Sequence, residues 1–239
     1  MFYALLAPLT ATAIHAMFFQ RGVIPPIIAV AAGWCAALLL LKRLKLSVQR
    51  RALGRVVVPQ EADFVLSPST AQRVLVEVYR AVDDPRRFVL FNRVVHGLSN
   101  LRNLGRVTDV DEILRGQAEQ DEAALETSYG VVRGLIWAIP TLGFIGTVLG
   151  LSDAIGGFGL VLGAAEDIDA LTTSLRGVTE GLATAFDTTL AALVAAVMLH
   201  IVYTLLYKAE LEHLDDCAEY CQRHIINRLR LTPYDEPTP

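Results

Sequence analysis

Charge is scarce in this chain. Asp, Glu, Lys and Arg make up 19% of its 239 residues, and they balance to a net −4, so there is no basic face with which to read a nucleic acid. Three cysteines are too few for a disulfide framework. No phosphate-cradling loop occurs, because the glycines between positions 143 and 150 lie in an apolar run with no Lys behind them, and no nucleophile constellation stands out. Neither an enzyme nor a bound cofactor is expected. What the chain has in excess is apolar surface: 53% of residues are hydrophobic and the mean hydropathy is +0.43, which points to an integral membrane protein.

A bilayer core needs about 20 uncharged residues per helix, and four stretches supply them. Phe2 to Phe19 carries no charge, Gln20, Arg21 and Gly22 interrupt, and Val23 to Leu41 is uncharged again, with Pro25 and Pro26 near its start. A third run covers Gly134 to Ser152 and continues weakly past Asp153 to Ala165; the fourth, Thr188 to Tyr207, ends at Lys208. The expected fold is all-α and polytopic: a hairpin over 1–41, a helical insert over 42–130, a second hairpin over 131–207 and a C-terminal helix and tail over 208–239. Nothing basic precedes Arg21, so the first run reads as a retained span, not a cleaved signal. Lys42, Arg43, Lys45, Arg50, Arg51 and Arg55 form a basic block with no acid before Glu61. That block marks the cytoplasmic side and, with two hairpins, puts both termini and the insert there.

The insert reads as helix. Ser67, Pro68 and Ser69 supply a cap and a first-turn proline before Val74, Leu75, Val78, Tyr79 and Val82, and Asp83, Asp84 and Pro85 restart the chain. Phe88, Phe91, Val94, Val95, Leu98 and Leu101 give a second stripe ending at Gly105, and Thr108 with acids at 109, 111 and 112 looks like the next N-terminus. No breaker follows, so a helix from Asp109 is expected to run straight into the third span, and the fourth span to run on to Leu231.

The second hairpin carries the informative chemistry. Residues 140–150 read PTLGFIGTVLG, joining a helix-kinking Pro140 to Gly143, Gly146 and Gly150. Gly146 and Gly150 form a GxxxG pair that lets a neighbouring backbone approach closely, whether in an assembly or within one bundle. In the fourth span Glu180, Thr184, Asp187, Thr188 and Ala191 share one face, close to Gly181. An intramembrane carboxylate such as Asp187 is costly unless it meets water, a cation or a partner, and is a functional-site candidate by default. For Thr147, Thr184 and Thr188 two fates stay open: lining an ion path, or bonding back to a carbonyl one turn earlier.

These residues resemble the MotA/TolQ/ExbB family of inner-membrane ion channels. The stretch from Pro140 to Gly150 is similar to the family's proline, glycine and threonine motif, and 177–184 (GVTEGLAT) with its alanine-rich continuation is similar to its final span. Residues 185–189 (AFDTT) resemble the channel subunit of the Zorya defence systems. The resemblance implies a homopentamer in the bacterial inner membrane. Its third and fourth spans would surround two copies of a single-span MotB/ExbD/TolR-like partner whose Asp carries the ion, H⁺ or Na⁺. It makes Thr147 and Thr184 pore hydroxyls, Glu180 an acid near the outer end and Pro140 the kink, with ion flow driving rotation. A non-conducting scaffold packed around a partner helix is the alternative. Arg73, Glu77, Arg80, Asp83, Asp84, Arg86 and Arg87 are a candidate load-contacting face, although a mixed run is more often simply solvated.

Weaker candidates remain. His213, Cys217, Cys221 and His224 share one helix face. A straight helix spreads such a set over about 16 Å, so thiols buried at a helix contact are expected in place of a zinc site. His15 and His200 lie within spans and are expected to satisfy local contacts. In a pentamer, a pore-facing Asp187 would form a ring of five carboxylates whose mutual repulsion keeps some protonated. Asp187→Asn is expected to abolish ion-dependent function if that ring serves the ion path. If Asp187 is instead hydrogen-bonded inside the complex, the variant will conduct and be less stable. Ion flux and thermal stability, measured on the same preparation, separate the two.

Overall fold

The structure is a computed structural model that describes residues 23–54, 58–59, 64–99, 101, 106–162 and 168–230. Every element among them is helical, and the one extended contact is a parallel bridge between Leu66 and Leu229. The helices are α1 (Ile24–Leu53), α2 (Pro68–Ala81), α3 (Val89–Ser99), α4 (Val107–Ser128), α5 (Gly130–Leu162) and α6 (Ile168–His224), with 3₁₀ turns at Pro85–Arg87 and Ile226–Arg228. Among the described residues, three stretches are long and apolar enough to cross a membrane: Ile24–Leu53, Val107–Gly156 and Leu175–Arg228. The expected span Phe2 to Phe19, and His15 within it, lie outside the described residues. The chain divides into two compact units, Met1–Leu41 with Gly130–Leu205 and Lys42–Tyr129 with Leu206–Pro239.

The first unit has a small apolar core. Ile28, Ile139, Ala192 and Ala196 form its buried core, with Ile24, Leu142 and Leu199 against it. Pro25 and Pro26 fall in the first turn of α1, where a missing N–H costs nothing. Pro140 lies inside α5, which nevertheless continues through it.

The second unit is built like a water-soluble bundle. Ser67 caps α2 and forms a reciprocal box with Thr70: Ser67 Oγ accepts from the Thr70 N–H at 3.4 Å, and Thr70 Oγ1 accepts from the Ser67 N–H at 2.7 Å. Asp84 restarts the chain as expected, accepting from the Arg86 N–H at 3.1 Å. Val74, Val78, Phe91, Val94, Val110 and Ile225 anchor the core. Polar side chains then tie its helices together. Gln49 on α1 donates to the Arg87 carbonyl at 2.7 Å and accepts from the first N–H of α3, at Val89, at 3.1 Å, satisfying a donor that a helix start leaves open. Arg93 on α3 is 1% exposed; it pairs with Asp121 of α4 at 2.7 Å and donates to the Leu214 carbonyl of α6 at 3.0 Å.

Several boundaries differ from the sequence reading. The N-cap of α4 is Arg106, without a side-chain cap, and not Thr108; Asp109 in the first turn answers the helix dipole, so no hydroxyl cap is needed. The run into the third span is broken once, at Tyr129, whose N–H turns to the Glu126 and Thr127 carbonyls. Helix α3 stops at Ser99, ahead of Gly105. Helix α6 stops at His224, short of Leu231, because Ile225 is buried and the backbone beyond it turns extended to pair with Leu66. There Leu66 N–H donates to the Arg228 carbonyl at 2.9 Å, and Arg230 N–H donates to the Leu66 carbonyl at 2.9 Å.

Asp121→Asn leaves the buried Arg93 guanidinium without its counter-charge, a change that costs about 3 kcal/mol. A lowered melting temperature of the second unit, followed by hydrogen exchange at α3 and α4 amides, checks this; an unchanged exchange profile contradicts it.

Candidate functional site: the α5–α6 seam

The GxxxG face of α5 packs on the chain's own α6. A Cβ placed on Gly143 would lie 2.5 Å from Ala192 Cβ, one on Gly146 2.6 Å from Thr188 Cγ2, and one on Gly150 3.0 Å from both Ala185 Cβ and the Gly181 carbonyl oxygen. From the other side, a Cβ on Gly181 would lie 3.1 Å from the Gly150 oxygen. Gly143 and Gly146 are therefore required for the backbones to approach as they do, and Gly150 and Gly181 fit tightly beside them, the arrangement that stands in for hydrophobic drive within lipid. Gly134, Gly156 and Gly177, on the same two helices, meet nothing within 4 Å.

Close approach puts hydroxyls onto carbonyls. Thr147 Oγ1 donates to the Gly143 oxygen at 3.1 Å, Thr189 Oγ1 reaches the same oxygen from α6 at 3.0 Å and the Ala185 oxygen at 3.1 Å, and the two hydroxyls touch each other. Each hydroxyl has one proton, so the contacts share donors within a small closed network. Thr188 is 2% exposed and packs on Gly146. Next to Pro140, Thr141 bonds back to the Trp137 oxygen at 2.9 Å.

The expected polar stripe of α6 differs in burial along its length. Thr188 enters the seam, and Asp187 is half-buried. Glu180 is exposed and pairs loosely with Arg176 one turn earlier, at 3.9 Å. Thr184 is in α6, but its side chain lies outside the described residues. Thr189 is a seam residue that the stripe reading passed over. Ala185, Thr189, Ala192 and Ala196, at i, i+4, i+7 and i+11, form the alternative stripe that would have found it. His200 is exposed, with its ring 5.8 Å from Tyr203. In the second unit Cys217 and Cys221 are core residues, and burial pushes both thiols up to about 12. The Cys217 sulfur lies 3.7 Å from His213 Nε2, and among the described residues no group of three or more His, Cys, Asp or Glu is placed to hold a metal ion.

The class defined so far is a helical membrane protein whose last two spans are joined through glycine and threonine. The MotA/TolQ/ExbB proton channel family model matches residues 89–216, more than half of the chain and well beyond the hairpin motifs alone. The chain belongs to that family, a class of channels and not of enzymes. No curated protein and no solved structure matches it.

Gly143→Ala and Gly146→Ala are each expected to destabilise the first unit by about 1–3 kcal/mol through overpacking. Gly134→Ala, with open space around its position, is expected to change stability by less than about 1 kcal/mol in either direction. Thermal unfolding of the three variants in one detergent checks the contrast, which equal shifts would contradict.

Proposed function

We propose that this chain is the ion-conducting subunit of a motor-type complex in the bacterial inner membrane. Five copies surround two single-span partner chains of the MotB/ExbD/TolR kind, and H⁺ or Na⁺ flow drives rotation. Both termini and the 42–130 insert face the cytoplasm in this reading, on the side marked by Lys42, Arg43 and Lys45. The observation that carries it is the family match over residues 89–216. The distribution of polarity supports it. Asp187 is half-buried and Glu180 exposed on α6, and a carboxylate at membrane depth is by default a functional-site candidate. Large apolar side chains on both helices are uncovered, among them Phe144, Val148 and Ile155 on α5 and Phe186, Leu190 and Val194 on α6, leaving surface for lipid and for further copies. The ion path then runs between subunits, past Thr184 and Asp187, while Thr147, Thr188 and Thr189 hold each subunit's own hairpin closed.

One observation favours the scaffold alternative: the hydroxyls of Thr147 and Thr189 are bonded inside one chain, as packing alone requires. The experiment that decides is electron cryo-microscopy of the complex isolated from its native membrane, with ion flux measured on the same preparation in liposomes. A five-fold particle with a foreign helix on its axis and a measurable flux is expected. A monomer or dimer that passes no ion establishes the scaffold instead.

A further inference from the structure

Away from the seam, the second unit holds a cluster of ionisable groups where each long apolar run meets its polar continuation. Lys42 directly follows the uncharged 23–41 stretch, Tyr129 separates α4 from α5, and Glu210 follows Tyr207 and Lys208. The Lys42 ammonium sits 3.7 Å from the centroid of the Tyr129 ring, a cation–π contact, and that ring stands edge-on to Tyr207 at 5.2 Å. Lys42 donates its hydrogen bond to Ser128 Oγ at 2.7 Å, whereas its distance to the Glu210 carboxylate is 4.0 Å. At that distance the two charges form an ion pair without a hydrogen bond between them.

Beside it lies a cavity of about 210 Å³, room for several waters. The ionisable groups around Glu210 are Lys42 and Lys45 from α1, Asp121 and Tyr129 from α4 and its cap, and His213 from α6. Arg50, which donates to the Ala209 carbonyl at 3.0 Å, adds a further positive charge close by. Burial raises the Glu210 carboxyl above the usual carboxylate range, opposed by the positive charges of Lys42 and Lys45. Burial likewise lowers Lys42, opposed by Glu210 and aided by Lys45.

We propose that Glu210, faced by Lys42 and Tyr129 beside this cavity, is a proton-binding site at the inner end of the channel. Its carboxylate takes up the transported proton after it leaves the membrane-spanning helices and releases it through cavity water to the aqueous side. This role in transport rests on the channel reading above and commits the ion to H⁺. Lys42 keeps the site selective: with Glu210 ionised it balances the charge, and with Glu210 protonated its positive charge speeds release.

Two measurements on the full chain test this. In liposomes, pH-difference infrared spectroscopy should show a protonated-carboxyl band that titrates above the ordinary carboxylate range, disappears in Glu210→Gln and moves to higher pH by about one unit in Lys42→Met, which retains the carboxyl but not its opposing charge. In proteoliposomes of the complex isolated from native membranes, Glu210→Gln should cut proton flux about a hundredfold, the low end for a positioned proton-transfer group, with Glu210→Asp restoring part of it. A band that survives Glu210→Gln, a midpoint unmoved by Lys42→Met, or a flux unchanged in Glu210→Gln overturns the proposal. If the band behaves as stated while the unsubstituted complex passes no proton, the channel reading fails and the proton site stands without a role in transport.

Discussion

The first unit depends on how near α5 can come to α6. In lipid, two apolar helices gain little from leaving their surroundings, so what holds them is dispersion between atoms in contact and hydrogen bonds that the close backbones permit. Gly143, Gly146, Gly150 and Gly181 allow that approach, because a methyl group at the first two would lie 2.5–2.6 Å from atoms of α6. Once the backbones are close, Thr147 and Thr189 reach a carbonyl they share, that of Gly143, and Thr188 is sealed against Gly146. The glycines and threonines of the hairpin are thus one device, small residues making the gap and hydroxyls filling it.

The second unit is held by different means. Its core of Val, Leu, Phe and Cys is an ordinary hydrophobic interior, and burial there keeps Cys217 and Cys221 as thiols, which disfavours the thiolate a metal would need. Directionality comes from two buried polar groups. Arg93 joins α3 to α4 and α6, and Gln49 joins α1 to the start of α3. Buried charge adds less to stability than its geometry suggests, since desolvation offsets most of the attraction. A slip of register among the four helices would strand the Arg93 guanidinium in an apolar interior.

Signals confined to neighbouring residues were legible in the sequence. Ser67 with Pro68, and Asp84 with Pro85, act as caps in the structure because a cap depends on atoms within one turn. The three described spans follow from apolar length alone. What depended on a distant segment was not legible. The end of α6 is set by Leu66, far earlier in the chain, and Arg93 gave no sign of burial within its own helix. The partner of the GxxxG face was open between another subunit and the chain's own helix; helical periodicity says which residues share a face, but not what the face meets. For Thr188 and Thr189 the difficulty is finer. Adjacent residues are about 100° apart on a helix, and a stripe drawn through Asp187 and Ala191 takes in Thr188 and misses Thr189, although both turn toward α5.

That division constrains how the proposed channel can work. A transported charge brings about 2.3 kcal/mol per 100 mV, so a path crowded with fixed charges would trap the ion. In the channel proposed above, Asp187 and Glu180 of α6 and a helix of another chain would add polarity to that of the seam hydroxyls. In the pentamer proposed above, five copies of one carboxylate around an axis would repel one another unless water, a cation or a partner helix compensated them.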